Sequence, residues 1–135
     1  MNILVEKLFK DLKIDLPEIA FDKSYLLKIN EDLEIKIFDL DPGFYFHSDL
    51  IYLKEEEKKE DLFIYLMKAN LLGQGTGKGS IGIDKDENLL TLAYDIPYEV
   101  NYVKFKEKLE DFVNYAIYWK KEIARFIRLA NQTIL

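Results

Sequence analysis

The sequence predicts an α+β fold in which a helix, a three-strand antiparallel meander, a second helix, a β-hairpin and a long C-terminal helix follow one another. Three observations carry this. Apolar residues recur at helical spacing from Leu4 to Leu12 and from Phe105 to Ala130, and the run Leu62 to Leu72 reads as a helix that stops on glycine. Between them lie short alternating or apolar runs bounded by turn residues. No repeat and no long linker divides the 135 residues, so one domain over 1–135 is expected, a size that buries about two-thirds of the extended surface.

The first helix is read over Ile3 to Lys13, with Leu4, Val5, Leu8, Phe9 and Leu12 on one face and Pro17 ending it. The meander follows as Tyr25 to Ile29, Leu33 to Leu40 and Phe44 to Leu53. Its turns are Asn30-Glu31-Asp32 and Asp41-Pro42-Gly43, where Pro42 presets φ and Gly43 is free to take a positive value. The wholly charged run Lys54 to Asp61 reads as a solvated lead-in, and its acidic end favours the start of the helix Asp61 to Leu72. Gly73 suits the position just past that helix. Ser80 to Asp84 and Leu89 to Asp95 form the hairpin, turning through Lys85-Asp86-Glu87-Asn88, and Ile96-Pro97 stops its second strand. From Asn101, a helix N-cap, the stripe Phe105, Leu109, Phe112, Ala116, Trp119, Ile123, Phe126 and Ala130 runs at alternating spacings of four and three. A second row, Val113, Ile117 and Ile127, widens it into a face that packs on a sheet or on other helices.

Composition narrows the function. The chain is 49% hydrophobic and 33% charged, too apolar for disorder, and it lacks an apolar run long enough to span a bilayer. A net charge of −6 repels nucleic-acid phosphates and anionic lipid, so neither is an expected partner. With no cysteine and a single histidine, thiolate metal sites, disulfides, cysteine nucleophiles and multi-histidine sites are absent, and no metal or cofactor is expected. The opening residues Met1 to Lys7 do not fit a signal peptide, which makes a cytosolic location the default expectation.

Three motifs invite chemistry and each has a plainer explanation. The glycine-rich passage Gly73 to Ser80 follows a helix and enters a strand, whereas a phosphate-cradling loop needs a helix N-terminus after its glycines. A P-loop would also need glycine at Leu72 and a hydroxyl residue at Gly79. The passage therefore reads as a bend in which glycine permits close backbone approach. Asp84, Asp86, Asn88 and Asp95 match part of a calcium loop, but Leu89 stands where its obligatory glycine belongs. His47 lies in an aromatic strand, and Ser24, Ser48 and Ser80 lack the setting of a nucleophile. What these readings leave unexplained is an aromatic excess. Phe38, Phe44, Tyr45, Phe46, Tyr52, Phe63, Tyr65, Tyr94, Tyr98 and Tyr102 are more than one small core hides, so part of the apolar surface is expected to face a partner.

The ordered set of segments resembles the type III secretion chaperones of the Tir-chaperone (CesT-like, class I) family. It comprises Lys68-Ala69-Asn70-Leu71-Leu72 ending the middle helix, the passage into Gly79-Ser80-Ile81-Gly82-Ile83-Asp84, and the strand Leu89 to Tyr94 leading through Ile96-Pro97 into the long helix. The likeness covers about Asp61 to Ile123, and more loosely the N-terminal helix and meander. It implies a small acidic cytosolic homodimer, without enzyme activity or cofactor, that binds an extended segment of one or more secreted effector proteins and keeps it secretion-competent. Components of the secretion machinery are further implied partners.

On this resemblance the dimer is expected around Leu62, Phe63, Leu66, Ala69, Asn70, Ile81 and Ile83. The effector is expected over the first helix and the outer sheet surface, at Leu4, Leu8, Phe9, Leu12, Phe38, Tyr45 and Tyr94. Two other readings stay open: a nucleotide- or small-ligand-binding enzyme using the glycine passage and His47, and an adaptor domain that binds a folded partner.

Overall fold

A computed structural model of the protein describes residues 2–53, 59–71, 79–84 and 88–132. In chain order the elements are α1 (Ile3–Asp11), β1 (Ser24–Asn30), β2 (Leu33–Asp39), β3 (Phe44–Tyr52), α2 (Lys59–Asn70), β4 (Ser80–Asp84), β5 (Leu89–Ile96) and α3 (Tyr102–Gln132). This is the element order expected of the α+β reading. Among the described residues the strands make one antiparallel sheet in the order β1-β2-β3-β5-β4, so β1 and β4 are its edges. The charged stretch 54–58, most of the glycine passage (72–78) and the hairpin residues 85–87 lie outside the described residues.

Local chemistry explains the helix boundaries. The Asn2 side chain accepts from the amides of Leu4 and Val5 and so starts α1, a cap additional to the expected one at Asn101, whose side chain accepts from the Lys104 amide at 2.8 Å. The end of α1 differs from expectation. Pro17 plays no part, because the helix closes after Asp11 with Lys13 at φ +59°, the Lys13 amide donating to the Lys10 carbonyl and the Ile14 amide to the Phe9 carbonyl. That is a Schellman closure built on a residue other than glycine, which hides it in the sequence.

Pairing register assigns each strand residue to a face. Tyr25 lies opposite Ile37, Ile37 opposite Phe46 and Ser48 opposite Leu92, so these residues share the helix-covered face. Leu27, Leu33, Ile35, Ile37, Phe44, Phe46, Leu50, Leu90, Leu92 and Ile96 are buried, and α3 lays its stripe of Phe105, Leu109, Phe112, Ala116, Trp119 and Ile123 against them, all buried as well. The tightest joint is aromatic. Phe105 sits 4.4 Å from Phe44 and 5.9 Å from Phe46 between ring centroids, and Phe112 sits 5.7 Å from Phe46. The one polar side chain of β3 on this face, Ser48, donates its hydroxyl to the Glu34 carbonyl at 3.0 Å.

Gly43 holds the turn between β2 and β3 against the end of β5. Its φ is +91°, and a Cβ there would lie 2.0 Å from the Ile96 carbonyl oxygen, a backbone atom that cannot step aside. Gly43→Ala is therefore expected to lower unfolding stability by on the order of 3 kcal/mol, from strain and clash together. Phe105→Ala is expected to cost about 3–5 kcal/mol by emptying the aromatic joint. Urea denaturation of both variants measures these losses.

Candidate functional site

Two apolar surfaces and one mixed surface remain outside the core. The first is carried by the connector between α1 and β1. Leu12, Ile14 and Ile19 are each at least 44% exposed, and Phe21 is fully exposed on the turn where the Ala20 amide donates to the Ser24 carbonyl. Single exposed apolar residues need no explanation, but four of them within ten positions concentrate apolar surface on one connector. Nearby, α1, β1 and α3 border a groove of about 340 Å³, lined by Leu8, Leu12, Leu27, Ile29, Leu109 and Val113, with Lys106, Glu110 and Asn114 as its polar members.

The second surface is on α2. Leu62 and Leu66 point into the core, while Ile64, Met67 and Leu71, spaced three and four residues apart, form a stripe on the other side that is 47%, 69% and 69% exposed. A helix apolar on both sides has a second burial partner to find. A pocket of about 650 Å³ opens between α2 and α3, walled by Tyr65, Ala69, Leu71, Tyr115, Tyr118 and Trp119. Its side is held rigid by Tyr65, whose ring stacks 5.3 Å from Phe126 and whose hydroxyl donates to Glu122 at 2.8 Å, while Arg125 pairs with the same carboxylate. Burial first, then that carboxylate, push the Tyr65 phenol up to about 12.

The mixed surface is the outer face of the sheet. Phe38 and Tyr45 meet edge-on at 5.6 Å and Tyr45 stacks over His47 at 6.3 Å, with Lys36 opposite His47 and Asp49 3.9 Å from its ring nitrogen. Desolvation holds the His47 pKa below its ordinary value; Asp49 opposes that and Lys36 reinforces it.

The structure separates the residues expected to act together. Of the expected dimer set, Leu62, Leu66 and Ile81 are buried, and Phe63, Ala69, Asn70 and Ile83 are half-buried. The side that faces out is the neighbouring helical phase, Ile64 and Met67, continued by Leu71 just past α2. Of the expected effector set, Leu8 and Phe9 are core residues, 2% exposed each, and Leu8 reaches a binding surface only as a wall of the groove. Leu4 is half-buried and Leu12 is open. Phe38 and Tyr45 share the outer sheet face, but Tyr94 lies opposite Phe46 and so belongs to the helix-covered face, where Lys108 lies 5.9 Å from its ring centroid. Ile14, Ile19 and Phe21, exposed as well, are outside the expected set because they sit in a connector, without period.

Catalytic groupings do not assemble among the described residues. His47 and Ser48 are adjacent on a strand and therefore face opposite sides of the sheet. No cluster of potential metal ligands and no helix long and apolar enough to cross a membrane occurs among the described residues.

The family model of the Tir chaperone protein (CesT) family matches residues 4–120. The chain belongs to that family. Relatives are distant: a protein of Chlamydia pneumoniae, CPj0713/CpB0740, is 23% identical over 107 residues, covering 78% of this chain and 82% of its own length. Solved structures share the fold. A chain of the ExsC–ExsE complex superposes with a TM-score of 0.70 at 14% identity, covering 87% of this chain and 89% of its own. A chain of the HopA1–SchA chaperone–effector complex gives 0.64 at 13% identity, with 87% and 91% covered. A chain of the ExoU–SpcU complex, from the type III secretion system of Pseudomonas aeruginosa, gives 0.63 at 14% identity, with 94% and 98% covered. The α+β architecture of this chain is thus that of chains in these assemblies.

His47 supplies a titration test of the mixed surface. Because folding lowers its pKa, the native state binds its proton less readily than the unfolded chain, so its contribution to stability is complete above the ordinary 6.5 and is lost as pH falls through the depressed value. Denaturation midpoints should therefore decline from about pH 6.5 downward, and His47→Gln should flatten that part of the profile.

Proposed function

We propose that this member of the CesT family is a cytosolic secretion chaperone that acts as a single domain in a homodimer, binds an extended segment of one or more effector proteins and catalyses no reaction. The observation that carries the reading is the open apolar connector Leu12 to Phe21 beside the groove of α1, β1 and α3. An extended client can lay alternate apolar side chains along such a surface and offset its ordering entropy through many small contacts. A folded partner would instead need one broad, complementary face. The HopA1–SchA neighbour, a chaperone–effector complex, supports the same choice. An enzyme built on the glycine passage and His47 is not favoured: the family is a chaperone family and His47 has no nucleophile beside it among the described residues.

The outward stripe of α2 is the surface we assign to the homodimer, with Ile64, Met67 and Leu71 at its centre and the expected residues Phe63, Ala69, Asn70 and Ile83 around it. The connector and groove are assigned to the client, with Leu4, Leu12, Phe38 and Tyr45 at their margins.

Light scattering should give about 32 kDa, twice the 16.0 kDa chain, and Met67→Glu should return it to the mass of one chain without loss of helix signal. Leu12→Asp and Phe21→Asp, changes at exposed positions, should leave stability within about 0.5 kcal/mol. Each should weaken capture of a secreted protein from the native cytosol by on the order of tenfold. In the wild-type complex that protein should resist protease over tens of contiguous residues. A monomeric wild type with no protected client contradicts the reading.

A further inference from the structure

The groove bordered by α1, β1 and α3 is chemically lopsided. Leu8 and Leu12 from the first helix and Leu27 and Ile29 from β1 give it apolar walls, while α3 alone brings polar groups, Lys106, Glu110 and Asn114, spaced four residues apart along its length. The charged side chains that α1 turns toward α3 are already engaged. Lys7 lies over the Tyr102 ring at 4.5 Å, and Asp11 accepts from the Tyr102 hydroxyl at 2.6 Å. Every charge that lines the groove therefore stands on one wall.

Lys106 and Glu110 do not serve the helix. Among the described residues neither forms an ion pair, and the salt bridges within α3 are Lys104 with Glu107 and Arg125 with Glu122. Nor does their order suit one, since a lysine four residues before a glutamate is the weaker arrangement on a helix. The two charges are thus presented to whatever occupies the groove. They stand about 6 Å apart along the axis, four residues at about 1.5 Å each. In an extended chain, side chains two positions apart share a side and lie about 6.7 Å from each other, while the residues between them point the opposite way. The two spacings match. A segment running along α3 can set two side chains against Lys106 and Glu110 and lay the alternate ones on the apolar walls.

We propose that this groove selects extended segments in which an acidic and a basic residue stand two positions apart on one side, the acid meeting Lys106 and the base Glu110, with apolar residues alternating on the other side. This rests on the client reading of the surface and adds the chemistry of the client to it. Segments with two like charges at those positions are disfavoured, because one of them faces its own sign. Exposed pairs act weakly, so the selection is a modest preference superimposed on apolar burial.

Fluorescence anisotropy on the full chain tests this with three short peptides in which leucine alternates with serine. In each, two successive serine positions are replaced, by glutamate and lysine, by two glutamates or by two lysines. Wild type should bind the mixed peptide about threefold more tightly than either of the others at about 0.15 M salt. Lys106→Glu leaves two carboxylates in the groove and should make the dilysine peptide the tightest binder, and Glu110→Lys should do the same for the diglutamate peptide. These preferences should vanish near 1 M salt, where charges are screened within about 3 Å. Lys121→Glu, the same charge change at an exposed position of α3 that does not line the groove, should leave the wild-type order intact. If a charge reversal prevents folding, Lys106→Gln keeps a good helix former and should remove the preference for the mixed over the dilysine peptide. An order of binding that these groove variants do not change overturns the inference and leaves the client reading standing. Failure of wild type to bind any of the three peptides overturns the inference together with the client reading of this groove.

Discussion

The aromatic joint between β3 and α3 is the contact on which the rest of the molecule depends. Phe44 and Phe46 leave the middle of the sheet on one face, Phe105 and Phe112 come down from the long helix, and the four rings interlock at centroid distances of 4.4 to 6.5 Å. Each such ring contributes several kcal/mol of buried area, roughly 3–5 kcal/mol when truncated in a core. Because the joint sits on β3, the central strand in the order β1-β2-β3-β5-β4, it fixes which face of every strand is covered. The opposite face is left to Phe38, Tyr45 and His47 among charged neighbours.

A single long helix cannot cover everything a chain of this composition carries. α3 satisfies the centre of the sheet, α1 adds Val5, Leu8 and Phe9, and α2 adds Leu62 and Leu66. Among the remaining apolar side chains, two groups stay exposed at margins of the molecule, the connector after α1 and the outward side of α2. On the proposed reading their separation gives one chain two uses for exposed apolar area. One margin is irregular and adjoins a groove, which suits a flexible segment; the other is a regular helical stripe, which suits a rigid copy of itself.

Much of this was legible in the sequence. Element order and type followed from periodicity, and the spacing of four and three from Phe105 to Ile123 marked residues that are all buried. The cap at Asn101 was legible because its chemistry is local. What was not legible depended on geometry between elements. The end of α1 turned on a positive φ at Lys13, a residue with no propensity to announce it. Tyr94 was grouped with Phe38 and Tyr45 as an aromatic strand residue, and only the register opposite Phe46 places it on the other face. On α2 every position from Leu62 to Met67 is apolar, so periodicity carried no phase information, and the division between Leu62 and Leu66 inside and Ile64 and Met67 outside needed the sheet to be in place. The sequence suggests exposed apolar surface as an excess of aromatic residues, yet Phe21 and the aliphatic Leu12, Ile14 and Ile19 stand exposed on a connector, where no period exists to read.

The central claim is that the apolar margin after α1 receives an extended client while the outward side of α2 receives a second copy. Hydrogen exchange measured by mass spectrometry on the full-length protein, with and without the bound segment of a secreted protein it captures, tests this most directly. The account predicts new protection across residues 12–30 and none added along α2. Protection that appears on α2 and leaves 12–30 unchanged would contradict it.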